Sequence, residues 1–241
     1  MQRKILIIKA GEKLPTLKRR TGDFEDWIIS GMGRPRVDFE VVAVFDGVQA
    51  ARPSCYKAVI ITGSSAMVSD HAEWVERTAG WLQEAVLLSV PTLGICFGHQ
   101  LLAYALGGEV ADNPAGVEVG TVEVTMSHVA QDDLLLGGMK TIAVQASHRQ
   151  SVSRLPEQAE CLAATTMDEN HAFCVNDRCW GLQFHPEFNA DITRHYIDYY
   201  HDELESVGRE TETMKRGCAE TQQAGACLKK FSQQIEKWEQ V

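Results

Sequence analysis

Apolar residues fall into short, closed runs along the first part of this chain. Residues 5–8 (Ile-Leu-Ile-Ile), 41–45 (Val-Val-Ala-Val-Phe) and 58–61 (Ala-Val-Ile-Ile) are continuous apolar stretches, each followed by a glycine within a few positions. Runs of this length bounded by turn residues read as strands buried on both faces, the pattern of a parallel sheet. Val75, Ala79, Leu82 and Val86 then recur at spacings of four, three and four, which is one stripe of a helix. Pro91 ends that helix, and Thr92-Leu93-Gly94-Ile95-Cys96 reads as a fourth strand. Residues 97–106 follow as a second helix, stopped by Gly107-Gly108. Gly31-Met32-Gly33 reads as a loop; it lacks the third glycine of a dinucleotide-binding turn, so no nucleotide site follows from it.

From about Val117 the texture changes. Val119, Val122, Val124, Ile142 and Val144 are interleaved with polar residues, as in an antiparallel or mixed sheet edge. Residues 180–184 form a last apolar strand, and Asp191 is placed to cap a helix burying Ile192, Tyr196 and Tyr199. Residues 206–223 are polar and read as a linker or loose helix. Leu228, Phe231, Ile235 and Trp238 follow at three-four-three spacing, a stripe expected to pack on its own domain rather than on a partner. Strands alternating with helices predict an α/β protein, with a main domain over residues 1–203 and a C-terminal helical extension over 204–241.

Composition narrows the function classes. With 241 residues, 44% hydrophobic and 23% charged, the chain has the balance of a globular protein and is neither fibrous nor a disulfide-stapled miniprotein. A formal charge of −10 repels phosphate backbones and anionic lipid, so neither nucleic acid nor membrane is expected as a partner. The one dense basic cluster, Lys18-Arg19-Arg20, reads as a solvated loop. The first apolar run is too short for a secretory signal, and no stretch approaches the ~18 residues of a membrane span. Seven scattered cysteines without a CxxC pair predict a reducing cytoplasm and free thiols, one of which can be chemically active.

The candidate chemistry sits where the patterns break. Gly94-Ile95-Cys96-Phe97-Gly98 places a cysteine between a buried strand and a helix, with glycines two residues to either side. This is the arrangement of a nucleophile elbow, in which a sharp turn exposes the nucleophile and small neighbours let the backbone close around it. The helix N-terminus favours thiolate over thiol, and the backbone N–H of Phe97 is placed to meet the oxygen of a tetrahedral intermediate. A thiolate needs a base, and the base needs an orienting acceptor. His185 ends the last apolar strand with Glu187 two positions on, across the rigid Pro186. The C-terminal ends of parallel strands converge at one edge of the sheet, which would bring Cys96 and His185 together.

Together these segments resemble the class I glutamine amidotransferase family, similar to its GMP-synthetase amidotransferase domain but standing alone, with order and spacing matching from Lys4 to about Tyr200. The resemblance implies a flavodoxin-like, doubly wound, mostly parallel sheet with helices on both faces. It implies Cys96, His185 and Glu187 as the catalytic triad, with attack of the cysteine on a γ-glutamyl amide, a thioester, and release of ammonia and glutamate. By position, Ile61-Thr62-Gly63-Ser64-Ser65 matches the family's oxyanion turn, making Ser64 and Phe97 the backbone donors and Gly63 part of the substrate site. Gln100 matches the glutamine that helps hold substrate. His148 and Gln150 lie where relatives receive the substrate's α-amino and α-carboxylate groups; relatives carry an acid where this chain has Gln150.

No cofactor and no metal are expected, since His171, Cys174 and Cys179 fit no common zinc spacing. Trp74 and Trp81 point to packing or an interface rather than ligand stacking. Three functions stay open: a glutaminase passing ammonia to a separate synthetase, a stand-alone γ-glutamyl hydrolase or peptidase acting on glutathione-like or γ-glutamyl-amine compounds, and a catalytically idle binding module. The small-molecule substrate is a γ-glutamyl compound in the first two, and an oligomer is possible in all three.

Overall fold

The structure, a computed structural model, describes residues 3–17 and 22–239; the Lys18-Arg19-Arg20 cluster lies outside the described residues. Eleven strands run as β1 (Lys4–Lys9), β2 (Phe39–Ala43), β3 (Tyr56–Ile61), β4 (Thr92–Ile95), β5 (Glu109–Asp112), β6 (Glu118–Met126), β7 (Thr141–His148), β8 (Gln150–Arg154), β9 (Ala159–Ala164), β10 (Ala172–Val175) and β11 (Cys179–Leu182). The helices are α1 (Phe24–Met32), α2 (Glu73–Leu87), α3 (Phe97–Ala105), α4 (Ala190–Tyr199), α5 (His201–Ser206), α6 (Thr211–Gly217) and α7 (Gln222–Trp238).

Nine strands form one mixed sheet in the order β2-β1-β3-β4-β11-β10-β9-β6-β7, and β5 pairs with β8 in a separate ribbon. The first five of these are mutually parallel. Their order is that of a flavodoxin-like sheet, in which ligands bind at the C-terminal strand ends. The polar-interleaved β6 and β7 pair antiparallel, as their pattern predicts.

Every residue of the first apolar run is used. Ile5 and Ile7 face one core, together with Ile28, Ile29 and Met32 of α1 and Leu228, Phe231 and Ile235 of α7. Leu6 and Ile8 face the other, with Val75, Ala79 and Leu82 of α2 and Phe97 and Leu101 of α3. The C-terminal stripe therefore packs on its own sheet: Leu228, Phe231 and Ile235 are completely buried.

Three sequence expectations change. Gly31-Met32-Gly33 is not a loop, because Gly31 and Met32 end α1 and Gly33 caps it in the left-handed conformation at φ 67°. Gly31 is required by packing, since a Cβ there would lie 2.5 Å from Leu228 Cδ1 of α7. The N-cap of α4 is Asn189 rather than Asp191: its Oδ1 accepts from the Ile192 N–H at 2.9 Å, and Asp191 lies in the first turn. Tyr199, expected to be buried by α4 with Ile192 and Tyr196, is instead 57% exposed.

Candidate active site

The end of β4 turns abruptly into α3 at Cys96, which adopts φ 52° and ψ −105°. A non-glycine residue with positive φ is strained, and such strain persists where surrounding structure over-determines it. Both flanking glycines supply that constraint. A Cβ on Gly94 would meet the Gly98 carbonyl oxygen at 2.3 Å, and one on Gly98 would meet the Ile61 oxygen of β3 at 2.5 Å. The Cys96 N–H donates to Leu182 O at 2.8 Å, tying the turn to β11. Its sulfur lies 3.5 Å from Ser147 O and lines the same cleft as the His185 side chain.

His185 follows β11, held by its N–H to Gln145 O at 2.8 Å and by ring stacking on Phe188 at 3.9 Å between centroids. Its Nδ1 is 2.7 Å from Glu187 Oε1, which leaves Nε2 for the sulfur, and both side chains are essentially inaccessible to water. Burial on its own would depress the imidazole, but the Glu187 carboxylate and the Cys96 sulfur outweigh it and raise His185 to about 10. His185 and Glu187 are thus hydrogen-bonded to each other, and His185 shares the cleft with Cys96.

The end of β3 supplies the opposite wall. Thr62 Oγ1 accepts from the Ala10 N–H at 3.0 Å and donates to Gly63 O at 2.9 Å, fixing the turn. Ser64 and Phe97 both line a cleft of about 370 Å³ that opens over Cys96. Gly63 does not line this cleft; it stands behind His185, where a Cβ would come within 3.0 Å of the ring Cε1. Gln100, His148 and Gln150 do line it, but largely through groups already engaged. Gln100 Nε2 donates to Gln150 O at 2.7 Å and to Gln183 Oε1 at 3.0 Å. His148 has both ring nitrogens in hydrogen bonds, Nδ1 to Gln150 O and Nε2 to Glu118 Oε2, each at 2.9 Å. It faces the cleft as part of its frame rather than as a free donor.

Several lining residues carry no sequence signal of their own. Tyr196, Tyr199 and Tyr200 of α4 and its end, with Leu14 and Phe24, make an aromatic and apolar wall. Burial, then the nearby Cys96 sulfur, raises the phenols of Tyr196 and Tyr200, which keeps them neutral. At the mouth, Arg149 pairs in bidentate fashion with Glu203. Glu118 was also unanticipated: its Oε2 lies 2.9 Å from His148 Nε2 and 3.2 Å from His171 Nε2. Among the described residues these three are the grouping with metal-ligand geometry, whereas His171, Cys174 and Cys179 are not brought together as one.

Known proteins share both the sequence pattern and the fold. Residues 21–201 match the family described as "Glutamine amidotransferase class-I". Gamma-glutamyl peptidase 4 of Arabidopsis thaliana is 28% identical over 202 residues, which is 82% of this chain and 80% of that protein. A glutamine-hydrolyzing GMP synthase subunit of Methanothermobacter thermautotrophicus is 36% identical over 124 residues, 51% of this chain and 65% of that protein. The crystal structure of a glutamine amidotransferase from Thermotoga maritima shares the fold, with a TM-score of 0.75 at 20% identity, covering 98% of this chain and 99% of that one. Among the described residues no helix is long and apolar enough to cross a membrane.

Proposed function

The chain belongs to the glutamine amidotransferase class-I family, and from that premise we propose that it hydrolyses a γ-glutamyl amide bond through a thioester on Cys96. The observation that carries this reading is the strained Cys96 turn, which shares its cleft with an imidazole held at Nδ1 by a buried carboxylate. The thiolate attacks the γ-carbonyl carbon, a C–S bond forms, and the carbonyl π electrons move onto oxygen. Backbone N–H groups of Ser64 and Phe97 receive that oxyanion. Collapse re-forms the carbonyl and breaks the C–N bond, and the His185 imidazolium gives its proton to the departing amine. His185, now neutral, takes a proton from water as the water attacks the thioester; collapse expels the Cys96 thiolate and yields glutamate. Glu187 keeps the ring in the productive tautomer and stabilises its charge.

Two observations favour a γ-glutamyl conjugate with an organic amine as leaving group over free glutamine. The cleft, at about 370 Å³, lies in the size range that takes drug-sized ligands, and its wall of three tyrosines suits a body larger than ammonia. The likeness to the γ-glutamyl peptidase also extends over more of the chain than the likeness to the GMP synthase protein. The alternative is a glutaminase that hands ammonia to a separate synthetase. Purified protein assayed against glutamine, glutathione and γ-glutamyl amines, with release of ammonia or amine as readout, separates the two. Partner-free cleavage of a γ-glutamyl peptide supports the first reading, and glutamine turnover that appears only with a synthetase present supports the second. Absence of hydrolysis of every γ-glutamyl compound, with and without synthetase, removes both.

A further inference from the structure

Behind the cleft floor lies a buried charged group that the hydrolytic steps do not use. Glu118 at the start of β6 is paired in register with His148 at the end of β7, and His171 enters from the residue before β10. All three are at most 3% exposed. Their proton inventory is constrained. A backbone carbonyl only accepts, so the 2.9 Å contact from His148 Nδ1 to Gln150 O requires a proton on Nδ1. Burial favours the neutral form of Glu118, but the His148 contact and the His171 ring 3.2 Å away outweigh this and move its pKa well below the usual range. His148 Nε2 lies 2.9 Å from Glu118 Oε2, so the ring bridges the two groups. His148 is therefore held at both ring nitrogens, between the Glu118 carboxyl group on one side and the Gln150 carbonyl on the other.

That carbonyl is the hinge of the cleft floor. It receives Gln100 Nε2 as well as His148 Nδ1. The Gln150 side chain is clamped by Nε2 to Ser69 Oγ at 2.6 Å and to Asp112 Oδ1 at 3.0 Å, which fixes Oε1 as the free end of the amide. Gln150 Oε1 and Ser147 Oγ, on either side of this turn, are buried without a partner, in residues that line the cleft and are at most 7% exposed. Buried polar atoms left unpaired are costly, so they mark places where a bound molecule completes the hydrogen bonding.

We propose that Glu118, acting through His148, is the positioning residue of the substrate floor, holding the 147–150 turn so that Ser147 Oγ and Gln150 Oε1 take hydrogen bonds from the γ-glutamyl head group. Ser147 and Gln150 thereby touch substrate, whereas Glu118, His148 and His171 do not. Gln150 Oε1 is an acceptor with no charge, suited to an N–H donor such as the α-ammonium. This role rests on the cleft being the reaction site, and its test has an arm that does not require turnover.

Steady-state kinetics of Glu118→Gln, Ser147→Ala, His148→Asn and His148→Leu on the best γ-glutamyl substrate separate binding from chemistry. Glu118→Gln and Ser147→Ala are expected to raise KM by about tenfold with kcat within about threefold, the signature of lost uniform binding. His148→Asn, whose amide N–H replaces the Nδ1–H, should keep KM within about threefold of wild type, while His148→Leu should raise it at least tenfold. Hydrogen exchange read at residues 147–152 should show faster local exchange in Glu118→Gln and His148→Leu and near wild-type exchange in His148→Asn, whether or not any substrate is turned over. Equal behaviour of His148→Asn and His148→Leu in exchange, or loss of kcat without change in KM, would overturn the proposal. So would a stoichiometric zinc ion in the purified protein bound through these three residues, since His148 Nε2 would then hold the metal and not Glu118.

Discussion

Replacing Glu187 by glutamine removes one negative charge while keeping an oxygen able to accept from His185 Nδ1. Wild-type His185 stands at about 10 because the Glu187 carboxylate and the Cys96 sulfur together outweigh a burial effect acting the other way. Without Glu187 only the sulfur opposes burial, and the imidazole returns to its ordinary value of about 6.5 or lower. In the proposed route the imidazolium is the acid that protonates the leaving amine, so its population enters the rate directly. At pH 8 that population falls from nearly complete to about 3%, a loss of roughly 30-fold in kcat/KM, whereas at pH 6 the loss from this cause is under about twofold. The assay is a pH profile of kcat/KM from pH 5.5 to 10.5 for both proteins, with folding checked by circular dichroism at each pH. The alkaline limb should lie near pH 10 in wild type and move down by three units or more in Glu187→Gln. A uniform drop at all pH values with an unmoved alkaline limb would show that Glu187 does not govern the charge on His185.

The turn around Cys96 should resist any added methyl. Gly98→Ala places a Cβ 2.5 Å from Ile61 O, and a destabilisation of at least about 2 kcal/mol in urea unfolding is expected from such overpacking; a cost near zero would mean that β3 yields easily. Phe231→Ala on α7 removes a fully buried ring that packs edge-on against Trp180 at 6.1 Å between centroids. It should lower stability by about 3–5 kcal/mol, and a value under about 1 kcal/mol would make α7 an appendage. Glu118→Gln strips the buried histidines of their anion and should cost about 3–5 kcal/mol at neutral pH. Because the folded-state pKa of Glu118 is lowered, its contribution is present above the unfolded value near 4.5 and fades as pH falls through the folded one. The difference between wild type and Glu118→Gln should therefore shrink on acidification, and a difference that grows would reverse the assignment.

Legibility in the sequence tracked the locality of the signal. β1, β3 and β4 announce themselves because strands buried on both faces have no polar residue to interrupt the run, and their alternate residues do fill two separate cores. The elbow is equally local: both glycines are required within five residues, by contacts as close as 2.3 Å. Helix α1 is missed when the eye stops at its glycines, although Asp23 and Asp26 form a reciprocal capping box and Phe24, Ile28 and Met32 repeat at spacings of four. What could not be read are pairings between distant segments. The Glu118–His148–His171 group joins residues from three strands or their approaches, and its existence depends on the antiparallel register of β6 and β7. The tyrosine wall likewise comes from the face of α4 turned toward the cleft, where Tyr196 looked only like core. The resemblance to a family placed Gln100 and His148 in the site, but their ring and amide nitrogens prove to be spent on the frame.

Direct capture of the acyl-enzyme tests the proposed chemistry at its centre. Wild-type protein mixed with a γ-glutamyl substrate, quenched in acid within milliseconds and analysed by intact and peptide mass spectrometry, should carry one γ-glutamyl group on Cys96. Cys96→Ala should carry none and show no turnover while keeping its fold. Full hydrolysis by Cys96→Ala, or a γ-glutamyl group found on any residue other than Cys96, would contradict the thioester route.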